Sequence, residues 1–298
     1  MNAAALIDTV PPAELERLDA RFPARRVAVR GGAVVAVREC GAGPAIVCLH
    51  GIGSVAASWL DTALLLAADA RVIAWDAPGY GDSTPLALAV PAASDYAQRL
   101  HDLLDALDLQ SCVLVGHSLG ALTAASAARP GSPSASRISR LVLISPAGGY
   151  GAATRAEARS KVRAERLDVL DQLGIAGMAA KRSGRLVSEH AGELARQWVR
   201  WNMARLNDAG YRQAVELLCN ADLLADLPPA MPVRVACGAL DVVTPPAACA
   251  EVAQRCGVPL ELLPDAGHAS YVERPDAVAA LLRDALADRQ QTNRQRQP

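Results

Sequence analysis

Phenylalanine is almost absent from this 298-residue chain: it occurs once, at Phe22, and aromatic residues together make up 3%. Bulky packing therefore falls to leucine and tryptophan. Cysteine is present but not in framework form. Cys40, Cys48, Cys112, Cys219, Cys237, Cys249 and Cys256 make an odd count of seven with no CxxC pair. Several lie inside apolar runs such as "AIVCLHG" and "VRVACG", where cysteine behaves as a small buried hydrophobe. A disulfide scaffold is excluded, no metal site is expected, and a reducing, cytoplasmic setting fits. An excess of either charge is also missing. The net charge of -1 and pI near 6.5 leave no field to recruit nucleic acid or an anionic membrane. Long apolar runs are lacking too; "TALLLAADA" at 62–70 is too short to span a bilayer. The first residues, "MNAAALIDTVPPAELERLD", have no basic start, and Asp8 and two prolines break their apolar stretch, so no secretory signal is expected. There is no internal repeat, no low-complexity tract and no glycine-rich phosphate loop.

What remains is globular composition, 51% hydrophobic and 20% charged, over a length that suits one large domain or two ordinary ones. "RRVAVRGGAVVAVREC" reads as a hairpin turning at Gly31-Gly32. "PAIVCLHG", "ADARVIAWDAPGYGDS", "SCVLVGHS", "ISRLVLISPAG", "PVRVACGALD" and "PLELLPDAGH" read as buried strands. "SDYAQRLHDLLDALDL" is an amphipathic helix, with Ser94 its expected N-cap. Apolar runs alternating with helices predict an α/β fold with a mostly parallel sheet. Residues 151–225 differ in texture, with helical periodicity and no strand signal, and read as a helical insertion. The expected division is a core of 25–150 and 226–288, an insertion of 151–225, an extension of 1–24 and a frayed polar tail of 289–298.

The informative stretch is "VLVGHSLGA" at 113–121, a serine between two glycines where a strand hands over to a helix. A sharp strand–turn–helix exposes a nucleophile, strains its backbone, and leaves no room for side chains at Gly116 and Gly120. The following helix N-terminus favours developing negative charge. A serine hydroxyl also needs a base, and the base an orienting partner. Five histidines are available: His50, His101, His117, His190 and His268. His101 and His190 sit in helical text as surface or packing residues, and His117 adjoins the serine but points away from it. His268, in the turn "LPDAGHASY", can lean over the carboxyl edge of the sheet. Asp241, in "VACGALDVVTPP", lies just beyond another strand at that edge. Ser118, Asp241 and His268 thus form the expected triad, with the Ile52 and Leu119 N–H groups as oxyanion donors. No cofactor is required.

"HGIG", "DAPGYGDS", "GHSLG", "GALDVVTPP" and "DAGHASYVERPD" together resemble the α/β-hydrolase superfamily in order and spacing, from about residue 25 to 288. That resemblance implies an eight-stranded, mostly parallel sheet with a helical lid after strand six, which would be residues 151–225. "GIAGMAAKRSGRLVSEHA" and "LNDAGYRQAVELLCNADL" within the insertion are similar to 3-oxoadipate enol-lactonase-like esterases. The implied activity is hydrolysis of a small carboxylic ester or lactone through an acyl-enzyme. Relatives with an aspartate nucleophile, the haloalkane dehalogenases and epoxide hydrolases, do not fit Ser118. Other readings stay open: a C–C hydrolase of aromatic ring cleavage, although these usually carry Asn where His117 stands; a perhydrolase side activity; and a ligand receptor on the same fold. In the insertion, Trp198, Arg182 and Arg185 are candidate substrate contacts, an inward arginine serving to pair a substrate carboxylate. The competing assignments are solvated faces for the arginines and packing for Trp198 with Trp201. Oligomeric state is not legible.

Overall fold

The computed structural model describes residues 10–294, with side chains described through residue 287. Eight strands form one sheet: β1 (Ala24–Ala28), β2 (Val34–Cys40), β3 (Ala45–Leu49), β4 (Arg71–Trp75), β5 (Cys112–His117), β6 (Ile138–Ile144), β7 (Val233–Gly238) and β8 (Leu260–Leu263). Their spatial order is β1-β2-β4-β3-β5-β6-β7-β8. Only β1 with β2 and β2 with β4 pair antiparallel; every other neighbour is parallel, as the continuous apolar runs predict. The hairpin turns where expected, with Gly31 and Gly32 both at positive φ. All five residues of β3 and all six of β5 are buried, because helices cover both faces of the sheet.

The helices in chain order are α1 (Pro12–Arg21), α2 (Leu60–Leu66), α3 (Ala93–Ala106), α4 (Leu119–Ala128), α5 (Ala156–Arg182), α6 (Glu193–Met203), α7 (Asp208–Asn220), α8 (Pro246–Cys256), α9 (Ser270–Glu273) and α10 (Pro275–Arg294). α4, "LGALTAASAA", is buried at every position, the environment that an all-apolar helix with small side chains requires. α3 buries Tyr96, Ala97, Leu100, Leu103 and Leu104 on one stripe. Its start corrects the expected cap. Ala92 precedes the first helical residue, and Asp95 Oδ2 accepts the Ala92 N–H at 2.7 Å, so Ser94 lies inside the first turn. Asp95, third residue of the helix, reaches back to the Ala92 amide, while its own N–H donates to the Ala92 carbonyl at 3.1 Å. Phe22 is fully buried beside Leu18 of α1. α10 runs helical into the polar stretch expected to fray, and 295–298 lie outside the described residues.

Between β6 and β7 the described chain is helical, through α5, α6 and α7. α5 is broken at Gly174, whose φ of 62° and ψ of -177° belong to a region essentially reserved for glycine. The break matters for position. Arg166 and Arg182 are sixteen residues apart, about 24 Å along a straight helix, yet both line one cavity. Among the described residues, no helix is long and apolar enough to cross a membrane.

Candidate active site

The carboxyl ends of β3, β5, β7 and β8 converge on two adjoining cavities. Ser118 lies at the turn from β5 into α4 with φ 51° and ψ -116°. For a residue with a side chain this costs about 1–3 kcal/mol, so the surrounding packing must impose it. The flanking glycines show how. A Cβ on Gly116 would lie 2.7 Å from Ala121 Cα, and one on Gly120 would lie 2.5 Å from the Leu49 carbonyl oxygen. The first turn of α4 is thereby pressed against the end of β3.

Asp241 and His268 meet as the sequence predicts. His268 Nδ1 is 2.8 Å from Asp241 Oδ2, and both residues are 3% exposed, so water does not compete for the bond. An ionised carboxylate only accepts, which places the imidazole proton on Nδ1 and leaves Nε2 able to accept another. Burial alone would raise the Asp241 carboxyl. The hydrogen bond and charge of His268, with the Thr244 and Val243 amides, outweigh it and hold the group at about 2. Those amides donate to Asp241 Oδ1 at 3.0 and 2.7 Å. The Thr244 hydroxyl stands 2.9 Å from Asp241 Oδ2 and 3.0 Å from the Ser145 carbonyl, tying the acid loop to the end of β6.

Ile52 follows β3 in the turn His50-Gly51-Ile52-Gly53. The Gly51 carbonyl accepts from Ser54 N–H at 3.1 Å and lies 2.8 Å from His50 Nδ1. Ala77 N–H donates to His50 Nε2 at 3.0 Å, so Nδ1 carries the ring proton. A trans peptide points its N–H opposite its C=O, and the two donors on Gly51 therefore fix the direction of the Ile52 N–H. Tyr80 Oη donates to the Ile52 carbonyl at 2.9 Å and secures the next peptide. Leu119 opens α4, where the first N–H groups have no intrahelical acceptor. Among the described residues neither the Ile52 nor the Leu119 N–H finds a protein acceptor.

The first cavity, of about 240 Å³, is lined by Ser118, His268, Ile52, Arg166, Arg182 and Arg185 among others. The second, of about 350 Å³, is lined by Ser118, Ile52, Leu119, Arg166, Arg155 and Glu251 among others. Of the residues singled out in the insertion, Arg182 and Arg185 reach the first cavity and Trp198 reaches neither. Trp198 is buried edge-on against Trp201, ring centroids 5.3 Å apart, and Arg205 stacks on Trp201. That face of α6 packs; it does not line the site.

Several contributors were not foreseen. Arg166 lines both cavities and donates through Nη1 to Tyr211 Oη at 3.2 Å. Among the described residues no hydrogen bond joins His117 to Ser118; its Nε2 lies 2.9 Å from the His268 carbonyl and anchors the backbone of that residue. Burial, and then the charge of His268, pushes its imidazole down to about 3. Glu273 Oε2 accepts from Ser188 N–H at 2.9 Å and Gly267 N–H at 3.0 Å, binding the segment after α5 to the turn that carries His268. A half-buried acid a few residues after a glycine turn, as in "AGHASYVE", is the available clue.

A strained serine at a strand–helix turn, an Asp–His pair and a mostly parallel eight-stranded sheet define an α/β hydrolase. The chain belongs to the alpha/beta hydrolase family, whose family model matches residues 46–281. It is similar in structure to an enol-lactonase from Burkholderia xenovorans, with 26% identity and a TM-score of 0.74, covering 88% of this chain and 100% of that one. In sequence it is 33% identical over 118 residues to a 2-hydroxy-6-oxononadienedioate/2-hydroxy-6-oxononatrienedioate hydrolase from Dechloromonas aromatica, covering 38% of this chain and 39% of that protein. An uncharacterized protein of Mycobacterium bovis is 41% identical over 85 residues, 28% of this chain and 25% of its own length. The chain thus aligns with well under half of the length of these two curated relatives.

Proposed function

We propose that this protein is a serine hydrolase that cleaves a small carboxylic ester or lactone through an acyl-enzyme. The observation that carries the reading is the buried Asp241–His268 hydrogen bond beside the cavity that also holds the strained Ser118. In this mechanism Ser118 Oγ attacks the carbonyl carbon while His268 Nε2 takes its proton, and Asp241 holds the imidazole and stabilises its cation. The tetrahedral oxyanion rests on the Ile52 and Leu119 N–H groups, each worth about 3–4 kcal/mol at the transition state. His268 returns the proton to the leaving oxygen, then activates the water that releases the acid. The helices of 151–225 serve as a lid over the first cavity.

Likeness to the Burkholderia enol-lactonase supports the ester or lactone reading. The Dechloromonas relative, alike over 118 residues, favours a second one, hydrolysis of a C–C bond. The test is turnover of phenyl acetate by wild type and Ser118→Ala, with labelling by a fluorophosphonate. Expected are Ser118-dependent hydrolysis, a loss of at least a thousandfold in the variant, and a covalent adduct on Ser118. Undiminished turnover in Ser118→Ala would remove the nucleophile assignment. A chain that cleaves a vinylogous diketone far faster than any ester would favour the second reading.

A further inference from the structure

The two cavities differ in which parts of the reacting centre they touch. His268 walls only the first, and Leu119 only the second, while Ser118 and Ile52 belong to both. On the serine-hydrolase reading above, this fixes the direction of the substrate. The imidazole that accepts the serine proton must deliver it to the leaving oxygen, so that oxygen and the group attached to it lie on the His268 side. The acyl remainder, its carbonyl oxygen on Leu119 N–H, extends into the other cavity.

The cavities also differ in charge. Arg166, Arg182 and Arg185 line the first against a single acid, Glu165. Arg182 is half-buried and, among the described residues, has no hydrogen bond or ion pair to the protein. Burial first, then the charges of Arg166 and Arg185, lower its basicity, and Tyr211 and Glu165 offset this only in part. In the second cavity Arg155 and the shared Arg166 face Asp222 and Glu251, and Arg155 donates to the Gly149 carbonyl at 2.9 Å. That compartment is balanced. Arginine's planar fork suits a carboxylate in particular.

We propose that the substrate carries a carboxylate on its alcohol side, held by Arg182 with Arg166 in the first cavity, and a neutral acyl group in the second. The ester C–O bond breaks, the alkoxide oxygen takes the proton held by His268, and a hydroxy-carboxylate departs from the first cavity. Water then attacks the acyl-enzyme, restoring Ser118 and releasing a neutral-chain acid.

Four aryl esters separate the alternatives: 4-acetoxybenzoate and its methyl ester, and phenyl hydrogen succinate with phenyl acetate. The first pair differs in charge on the leaving side and the second in charge on the acyl side. Expected is a kcat/KM for 4-acetoxybenzoate at least tenfold above that of its methyl ester, with no gain for the succinate over phenyl acetate. In Arg182→Gln the 4-acetoxybenzoate ratio should fall toward one, and Arg182→Lys should restore part of it. A gain confined to the succinate, or a ratio untouched by Arg182→Gln, overturns the assignment. Ser118-dependent hydrolysis of the neutral esters with no charge preference overturns it alone, whereas failure to hydrolyse any of the four overturns the serine-hydrolase reading with it.

Discussion

Replacing Asp241 with asparagine changes one atom of the acid and tests what its two oxygens do separately. Oδ1 accepts the Val243 and Thr244 amides at 2.7 and 3.0 Å, and Asn can keep both with its carbonyl oxygen. Its NH2 then replaces Oδ2, which faces His268 Nδ1 at 2.8 Å. Two donors cannot share that contact, so the imidazole proton moves to Nε2 and the ring loses the lone pair that would receive the Ser118 proton. The expected loss is about 10⁴-fold in kcat, or about 5.5 kcal/mol at 1.36 kcal/mol per tenfold. Stability should fall less. The Asp241 carboxyl is held at about 2 against an ordinary 3.8, a difference equivalent to about 2.5 kcal/mol. That contribution is complete above pH 3.8 and is lost in wild type as pH falls toward 2. Steady-state release of the phenol from methyl 4-acetoxybenzoate at pH 7.5, alongside urea unfolding followed by circular dichroism, measures both quantities. A folded variant that loses less than a hundredfold in kcat would refute the tautomer argument and the role given to Asp241.

Three further outcomes follow from the geometry. Glu273→Ala should destabilise the fold by about 2–4 kcal/mol, because it strands the Ser188 and Gly267 amides; Glu273→Gln can keep both on its carbonyl oxygen and should cost under about 1 kcal/mol, so equal urea midpoints for the two variants would count against this. His50 and His117, held down at about 4 and about 3 by burial, bind protons less tightly when folded, so their contribution is complete above pH 6.5 and declines below it, by about 7 kcal/mol at pH 4. Asp76, raised by burial to about 6, acts oppositely and returns about 3 kcal/mol as pH falls from 6 to 3.8; the net loss of about 4 kcal/mol between pH 6.5 and 4 should appear in urea midpoints, and a flat profile would contradict it. Gly174→Ala has space for its methyl but must adopt φ 62° and ψ -177°, so it should lower stability by about 1–3 kcal/mol or straighten α5; unchanged stability together with unchanged 4-acetoxybenzoate selectivity would show that the break is not needed.

The parts of the site that were legible are those with strictly local causes. Gly116 and Gly120 are required by contacts within a few ångströms of Ser118, and Asp241 and His268 each follow a strand; β7 is largely buried, but β8, expected buried, is a half-exposed edge strand. What failed was direction around a helix. The spacing of Trp198 and Trp201 placed them on one face of α6 but could not say that this face packs against its neighbours rather than the cavity. Arg166 is not marked in the sequence for a related reason: its approach to Arg182 depends on the break at Gly174, which periodicity alone reads as one unbroken helix. Ser94 is not the cap because the helix already starts at Ala93, where Asp95 reaches back to the Ala92 amide.

The residue proposed as the base follows an edge of the sheet. β8 is a four-residue strand at one edge, paired only to β7, and His268 follows it directly, whereas Ser118 follows β5 at the fully buried centre. Edge strands exchange their amide hydrogens through local openings that cost far less than global unfolding. Such an opening would carry His268 away from a Ser118 that remains in place. Under mild heat or denaturant, catalytic competence should therefore vanish while most of the molecule stays folded, and the amides of β8 should exchange well before those of β3 and β5. Glu273 and His117 act against that order of events: by fastening the turn around His268 to the segment after α5 and to the end of β5, they lend an edge element some of the persistence of the interior.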